Sequence, residues 1–467
     1  MAGARLAEEI RGRDPDGERV EVVLVGEEPR PAYNRILLSN LIAGTMSPQS
    51  VWLHDETWSH RNNIDLRIGA TVSGVDRTAR RVGVSDGSEI GYDRLVLATG
   101  STPRIPPVSG IRDDEGRLAP GVIPYRDFAD CRQIVERAAA GASVAVLGGG
   151  VLGLEAARAL AERGNAVTVI HPGDRLMDRQ LDTDASTVLT RTLESLGVGF
   201  RLGRSAAAYQ PGNGIELDDG SRVNADLLVL STGVRAETTL AHHAGLAVDH
   251  GILVDDTLRT SDYRVHALGD CAQHAGTAGG LVQPAFDQAT VLADLITGTE
   301  PQARYRGTPT ITRLKARDVD LAVLGDGKPG TDATEDEVVS VTEPAKGRYA
   351  KLVLRHDKIR GAILLGLPDA AAAVTHHYDN ETPAPNDRLA LLLGRAMPAP
   401  TEEPAAMPDS ATVCNCNNVT KGAIENAWHQ GARSTPELAE HTRATTGCGS
   451  CTGTVDRIAD ELAKAAG

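Results

Sequence analysis

At 467 residues the chain is too long for one ordinary domain, and about three are expected from length alone. Its formal charge of −15 excludes a nucleic-acid partner, because a phosphate backbone demands clustered Lys and Arg. No apolar run approaches the ~20 residues that span a bilayer, and the start Met1-Ala2-Gly3-Ala4-Arg5 lacks the apolar stretch of a signal peptide, so no membrane and a cytoplasmic location are expected. In chain order, residues 5–13 read as a helix, and Val20 to Val25 as an apolar strand ending at Gly26-Glu27. Asp93-Arg94-Leu95-Val96-Leu97-Ala98-Thr99-Gly100 reads as a buried strand entering a tight turn. It recurs as Asp226-Leu227-Leu228-Val229-Leu230-Ser231-Thr232-Gly233, an echo that predicts two related α/β units. Between the two copies, Val144-Ala145-Val146-Leu147 is a continuous apolar strand. A helix follows to about Arg163, then a strand from Val167 to Ile170. Residues 305–395, with alternating apolar segments such as Lys351 to Leu354 and Gly361 to Leu365, read as a small α+β domain. Ala396 to Pro404 is too rich in Pro and Glu to pack and reads as a semi-stiff linker.

The motifs follow the same order. Gly148, Gly150 and Gly153 match G-x-G-x-x-G between a strand and a helix. There the first Gly permits the turn, the second lets backbone approach a pyrophosphate, and the third lets helix pack on strand. An acidic residue about 20 positions on would select NAD. Here the strand ends in Ile170-His171-Pro172, with Arg175 nearby, so NADH and NADPH are not separated by these residues. His171 is neutral near pH 7 and Arg175 alone is a modest 2′-phosphate site. Glu155, on the helix that opens at the glycines, and Gly233, after the second strand, complete the NAD set. Four of the six cysteines fall in the last 54 residues, as Cys414-x-Cys416 and Cys448-x-x-Cys451. Two close pairs of thiolates suit a four-cysteine iron–sulfur site. A structural zinc site also uses four cysteines, but C-x-C pairing is unusual there. Cys131 and Cys271 read as small buried residues. His376-His377 reads as a surface pair on a strand, its side chains facing opposite ways, and the acidic runs Asp332 to Glu337 and Glu402-Glu403 as solvated loops.

Arg30-Pro31-Ala32-Tyr33-Asn34-Arg35-Ile36-Leu37-Leu38-Ser39, Ala98-Thr99-Gly100, Gly269-Asp270-Cys271-Ala272 and Gly280-Leu281-Val282-Gln283-Pro284-Ala285 carry a resemblance. Over essentially its whole length the chain resembles the flavoprotein half of assimilatory nitrite reductase large subunits and the related nitrate reductase electron-transfer subunits. The tail, through Val419 to Ile424 and Thr446 to Cys451, resembles bacterioferritin-associated ferredoxin, which binds one [2Fe–2S] cluster. The resemblance implies an α/β fold of two Rossmann-like domains, an NAD domain inserted in a split FAD domain, with a small α+β domain and a small helical [2Fe–2S] domain. The expected boundaries are 1–118 and 237–303 for FAD, 119–236 for NAD(P), 304–395 for the α+β domain, 396–411 for the linker and 412–467 for the cluster domain. It places FAD against Gly3, Glu27, Arg35, Thr99, Gly100, Arg126 and Asp270, with Asp270 on the ribityl chain, and the cluster on Cys414, Cys416, Cys448 and Cys451. NADH is favoured over NADPH on the resemblance alone. Two features depart from it. Asn40 stands where many relatives have Lys, and no Cys-x4-Cys dithiol is present, which removes disulfide-reductase chemistry.

Together these parts imply electron flow from NAD(P)H through FAD to the cluster and on to a partner, a catalytic nitrate or nitrite reductase protein. No segment resembles a sirohaem or molybdenum-cofactor domain, so reduction of nitrate or nitrite is expected of that partner. An NAD(P)H–rubredoxin or ferredoxin reductase and a non-enzymatic iron–sulfur redox sensor are the alternatives. Glu27 lies 24 residues after Gly3, where a ribose-binding acid belongs, yet no strand precedes Gly3. Met1-Ala2-Gly3 resembles the back half of a G-x-G-M-A-G fingerprint. The natural protein is therefore expected to begin about 10–15 residues earlier, and the chain from Met1 to load FAD poorly.

Overall fold

The computed structural model describes residues 1–327, 335–395, 407–409, 411–414, 417, 419–445 and 451–466. Two compact units emerge. Unit 1 comprises 1–35, 51–102 and 234–308; unit 2 comprises 36–50, 103–233 and 309–467. The chain thus leaves unit 1 at 35 and at 102 and re-enters it at 51 and at 234. Val108, Ile111 and Ala119 belong to the same core as Ala145, Leu147 and Leu228 of unit 2.

Unit 2 contains a five-stranded parallel sheet in the order Val198–Leu202, Ala166–His171, Ser143–Leu147, Leu227–Leu230, Val122–Pro124. The middle strands are apolar runs because both their faces are covered, and Leu227–Leu230 is buried throughout. Helix Val151–Glu162 leaves the central strand through the glycine turn and buries Leu154, Ala156, Ala157 and Leu160. An antiparallel meander, Ala206–Gln210, Gly214–Leu217 and Arg222–Val223, precedes the Leu227–Leu230 strand.

The rest of unit 2 follows in chain order. A five-stranded antiparallel sheet runs Ile311–Ala316, Val319–Gly325, Lys358–Leu365, Arg348–Arg355, Glu337–Glu343. Helices Pro368–Asp379 and Arg388–Leu392 share its core through Val374 and Leu391. Then come three short helices, Lys421–His429, Thr435–Thr442 and Thr452–Ala466, around Ile424, Trp428, Leu438, Val455 and Ile458. His376 and His377 lie on helix Pro368–Asp379, not on a strand as expected. The alternating apolar pattern that marks the preceding strands ends at Leu365, and an Ala-rich helix opens behind Pro368. Their rings turn to Asn380 and Thr382, and no set of three or more His, Cys, Asp or Glu able to hold a metal gathers among the described residues.

Unit 1 repeats the first pattern. Helix Ala2–Arg13 turns Leu6 and Ile10 towards Leu292 and Ala293 of helix Val282–Thr297, and Arg13 Nε reaches Asp294 at 2.6 Å. Strand Val22–Gly26 pairs in parallel with Ile64–Ile68, and Leu95–Leu97 with Val265–Ala267. The meander Val72–Asp76, Arg81–Val84, Glu89–Gly91 again precedes the strand that enters the Thr-Gly turn. The echo in the sequence is therefore an echo in topology.

Candidate functional site

The unit 2 nucleotide loop is shaped by backbone touching backbone. Gly148, at φ +120, has a position where a Cβ would lie 2.1 Å from the Ser231 carbonyl oxygen. At Gly153 a Cβ would lie 2.1 Å from the Gly148 carbonyl oxygen. At Gly150, which caps helix Val151–Glu162, a Cβ would meet nothing within 4 Å. Two glycines thus close the turn, while the third leaves open space at the helix N-terminus, where N–H groups and dipole favour an anionic group. This cradle fits a dinucleotide pyrophosphate. Gly233, in the left-handed region at φ +88, also faces open space, and its carbonyl accepts the Arg104 N–H at 2.9 Å.

His171 ends the second strand and folds back over the loop. Its Nδ1 accepts the Gly149 N–H at 3.3 Å, and a Cβ on Gly149 would meet the ring at 2.9 Å. Nδ1 as acceptor assigns the proton of the neutral ring to Nε2, which lies 3.8 Å from Asp178. Burial lowers the His171 pKa, and Asp178 and Asp174 oppose that shift. Arg175 is engaged by Asp174 at 3.0 Å. Glu155 is buried on the helix and lies close to Tyr125; burial first, then Cys131 and Glu155, push the Tyr125 hydroxyl pKa well above its ordinary value.

In unit 1, Glu27 follows strand Val22–Gly26 and is exposed at its C-terminal end. Gly100, at φ +74 with open space beside it, follows the Leu95–Leu97 strand, and its carbonyl accepts the Glu237 N–H at 2.9 Å. Thr99 Oγ1 donates to the Glu237 carbonyl at 2.6 Å. Asp270 accepts a hydrogen bond from Ser101 at 3.0 Å, and Gly279 passes so near that a Cβ there would lie 2.8 Å from the Asp270 Cα. Arg35 pairs with Glu28 and lies 5.0 Å from the Tyr33 ring centre. Glu28 also accepts the Tyr33 hydroxyl at 2.8 Å, a role the sequence did not disclose. Gly3 sits on helix Ala2–Arg13, with a Cβ position 3.3 Å from Leu24 and 3.5 Å from Ala98. Gly3, Glu27, Arg35, Thr99, Gly100 and Asp270 thus share unit 1, whereas Arg126 belongs to unit 2, its amide held by Asp130 at 2.9 Å. An acid at a strand end, open glycine turns and a carboxylate in a glycine-lined turn are the donors and acceptors FAD requires.

At the tail, Cys414 ends strand Thr412–Cys414, and Cys451 directly precedes helix Thr452–Ala466. Both are buried in one core, which Ile36 also packs against. The Thr445 N–H donates to the Cys451 sulfur at 3.2 Å, a contact suited to a thiolate. Two buried sulfurs, one with an amide donor, fit a cluster; Cys416 and Cys448 lie outside the described residues. Cys131 and Cys271 are fully buried, with sulfurs against the carbonyls of Leu38 and of Leu97 and Leu268.

Two dinucleotide sheets in sequence, one split around the other along the chain, define a flavin- and nicotinamide-dependent reductase fold. The chain belongs to the pyridine nucleotide-disulphide oxidoreductase family, whose pattern matches residues 1–289. A rubredoxin NAD+ reductase C-terminal domain matches 311–374, and a BFD-like [2Fe–2S] binding domain matches 412–461. Its cofactors are accordingly FAD, NAD(P)H and a [2Fe–2S] cluster. The nitrite reductase [NAD(P)H] of Bacillus subtilis is 36% identical over 98% of this chain and 56% of its own length. The assimilatory nitrate reductase electron transfer subunit of the same organism is 35% identical over 97% of this chain and 57% of its own. The chain therefore spans little more than half the length of these relatives. A ferredoxin reductase from Rhodopseudomonas palustris superposes with a TM-score of 0.73 at 25% identity, covering 82% of this chain and 93% of that one.

Proposed function

We propose that the chain oxidises NADH in unit 2, collects the electrons at FAD in unit 1 and delivers them through its C-terminal cluster to a separate nitrate- or nitrite-reducing protein in the cytoplasm. The observation that carries this reading is the union, in one chain, of a glycine-shaped dinucleotide cradle with a buried pair of tail cysteines. The names of the Bacillus relatives support the choice of partner. No helix among the described residues is long and apolar enough to cross a membrane. When bound, FAD takes electrons in pairs and releases them singly, as a [2Fe–2S] cluster requires. The residues do the positioning. Gly148 and Gly153 set the turn, Gly150 leaves room for phosphate, and Asp270 offers a carboxylate acceptor. Cys414 and Cys451, with Cys416 and Cys448, supply the thiolates.

The test is anaerobic purification followed by three assays. About two iron and two sulfide per chain are expected, against one zinc for a structural site. NADH should reduce ferricyanide, while the isolated chain should leave nitrate and nitrite untouched. Stoichiometric zinc, or unaided nitrite reduction, would defeat the assignment. A second reading, an NAD(P)H–rubredoxin or ferredoxin reductase, is favoured by the rubredoxin-reductase-like domain and by 33% identity over 62% of this chain with the rubredoxin-NAD(+) reductase of Pseudomonas putida. Comparing rubredoxin, ferredoxin and a nitrate reductase catalytic protein as acceptors separates the two.

A further inference from the structure

The second strand of the unit 2 nucleotide sheet, Ala166–His171, ends without the carboxylate that holds an adenosine ribose in the usual plan. His171 stands there instead, with a glycine on either side of its ring. A Cβ on Gly149 would lie 2.9 Å from the ring, and one on Gly173 would lie 2.7 Å from Nε2. Neither glycine adopts a positive φ, so both are required for space and not for backbone freedom. With Nδ1 accepting the Gly149 N–H at 3.3 Å, the proton of the neutral ring is on Nε2. That atom is buried and has no hydrogen-bond partner among the described residues. A buried donor left without an acceptor is costly, and here it stands beside the glycine cradle.

Asp178 borders the same space. Its Oδ1 lies 3.8 Å from Nε2, beyond hydrogen-bond length, and its Oδ2 lies 3.3 Å from the Gly173 Cβ position. The loop that carries it is tied to the glycine turn, because the Met177 N–H donates to the Gly149 carbonyl at 2.9 Å. Met177 is buried and held in the left-handed region at φ +49, a strained conformation for a residue with a side chain. Its own carbonyl takes the Gln180 and Leu181 N–H groups at 2.8 Å, which closes the turn and sets Asp178 opposite the ring. The Asp178 side chain is nearly half exposed, so a ligand can reach it.

We propose that Asp178 and His171 together form the adenosine-ribose site, with the carboxylate supplied from the loop instead of the strand end. The ribose 2′-hydroxyl accepts from His171 Nε2–H and donates to the Asp178 carboxylate. A single hydroxyl serves both groups because it is donor and acceptor at once. A 2′-phosphate would bring its negative charge against Asp178, so the pair selects the coenzyme with an unmodified ribose. Arg175, engaged by Asp174 at 3.0 Å, does not offset that repulsion. Asp178 is thus a specificity-determining residue, an assignment that rests on the reading of the glycine cradle as a dinucleotide site.

The experiment measures Kd by calorimetry on the full chain and on Asp178→Ala and Asp178→Asn, with Tm recorded for each. The ligands are NAD+, NADP+ and NAD+ lacking the adenosine 2′-hydroxyl, oxidised forms that bind without turnover. On the unaltered chain, loss of the 2′-hydroxyl should weaken binding about tenfold or more, as expected for a hydrogen bond to a charged group. Asp178→Ala should weaken NAD+ by a similar factor and leave the 2′-deoxy coenzyme unchanged. It should also lower the ratio of the NADP+ to the NAD+ Kd by about tenfold or more. Asp178→Asn keeps the shape and loses the charge, so it should move that ratio the same way with a smaller loss of NAD+ affinity. Unchanged NAD+ affinity in both variants would overturn the proposal. Equal weakening of all three ligands, accompanied by a lower Tm, would also overturn it, by making Asp178 a support of the loop only. Binding of none of the three to the unaltered chain would instead overturn the dinucleotide reading on which the pair depends.

Discussion

The glycines of the unit 2 loop have different work, and single substitutions should separate it. Gly148→Ala places a methyl 2.1 Å from a carbonyl oxygen at φ +120, so overpacking and backbone strain should together cost roughly 2–4 kcal/mol. Gly150→Ala adds a methyl to open space at ordinary φ, so stability should stay within about 0.5 kcal/mol while KM for NADH rises. Thermal melts with KM measurements check both; equal melting losses would contradict the division. The motif was legible because it is local: strand, glycine spacing and helix lie within a dozen residues. The fold-back of His171 onto Gly149 was not, since it depends on the direction of one ring. That fold-back bears on coenzyme choice. Arg175 is already paired with Asp174 and His171 is held neutral by burial, so no free cation at these two positions awaits a 2′-phosphate. A higher kcat/KM with NADH than with NADPH is expected, and the reverse preference would overturn it.

Among the elements, the join between the nucleotide sheet and the small α+β domain turns on one carboxylate. Asp182 caps helix Thr183–Ser195 by accepting the Ala185 N–H at 3.0 Å, and takes the Tyr349 hydroxyl at 2.7 Å and Lys351 Nζ at 2.9 Å. Burial opposes its charge, but the Ala185 amide, Lys351 and Tyr349 together hold its pKa below the usual carboxylate value. A depressed carboxylate pKa stabilises the fold above the unfolded value near ~4 and loses that contribution as pH falls through the folded value. Asp182→Ala should cost about 1–3 kcal/mol through the lost cap and the stranded Lys351. Asp182→Asn, which can still cap, should cost less. Denaturant melts of the two variants decide it, and equal losses would assign the whole effect to the lost charge opposite Lys351 rather than to the cap. No sequence pattern pairs residue 182 with 349 and 351, because the contact spans more than 160 positions. Strands and helices with their own periodicity were readable; the docking of one on another was not. The same limit explains the His376-His377 pair, where adjacency was legible and the helix beneath it was not.

Across the whole molecule the duplication was legible, because the Leu-Val-Leu strand with its Thr-Gly turn is written twice, at 95–100 and 228–233. The four tail cysteines were legible by spacing, while the amide donated to Cys451 by Thr445 became visible only in the fold. One property belongs to neither unit alone. His266 in unit 1, and His171 and His377 in unit 2, all have pKa values lowered chiefly by burial. A histidine whose folded pKa lies below its unfolded value binds fewer protons folded than unfolded. Its fold is therefore unpenalised above the unfolded pKa of about 6.5 and loses stability as pH falls from there towards the folded value. Carboxylates such as Asp182 hold their protons off until near pH ~4, so the interval from about 6.5 to 5 isolates the histidines. The protein should accordingly show a falling Tm over that interval, in both units. His266 is the most buried of the three, so His266→Gln should lower Tm at pH 7 through lost packing yet flatten the acid slope. A Tm that stays level between pH 7 and 5, or a His266→Gln slope as steep as that of the unaltered chain, would show that protonation of the buried rings carries no cost to the fold and would overturn the prediction.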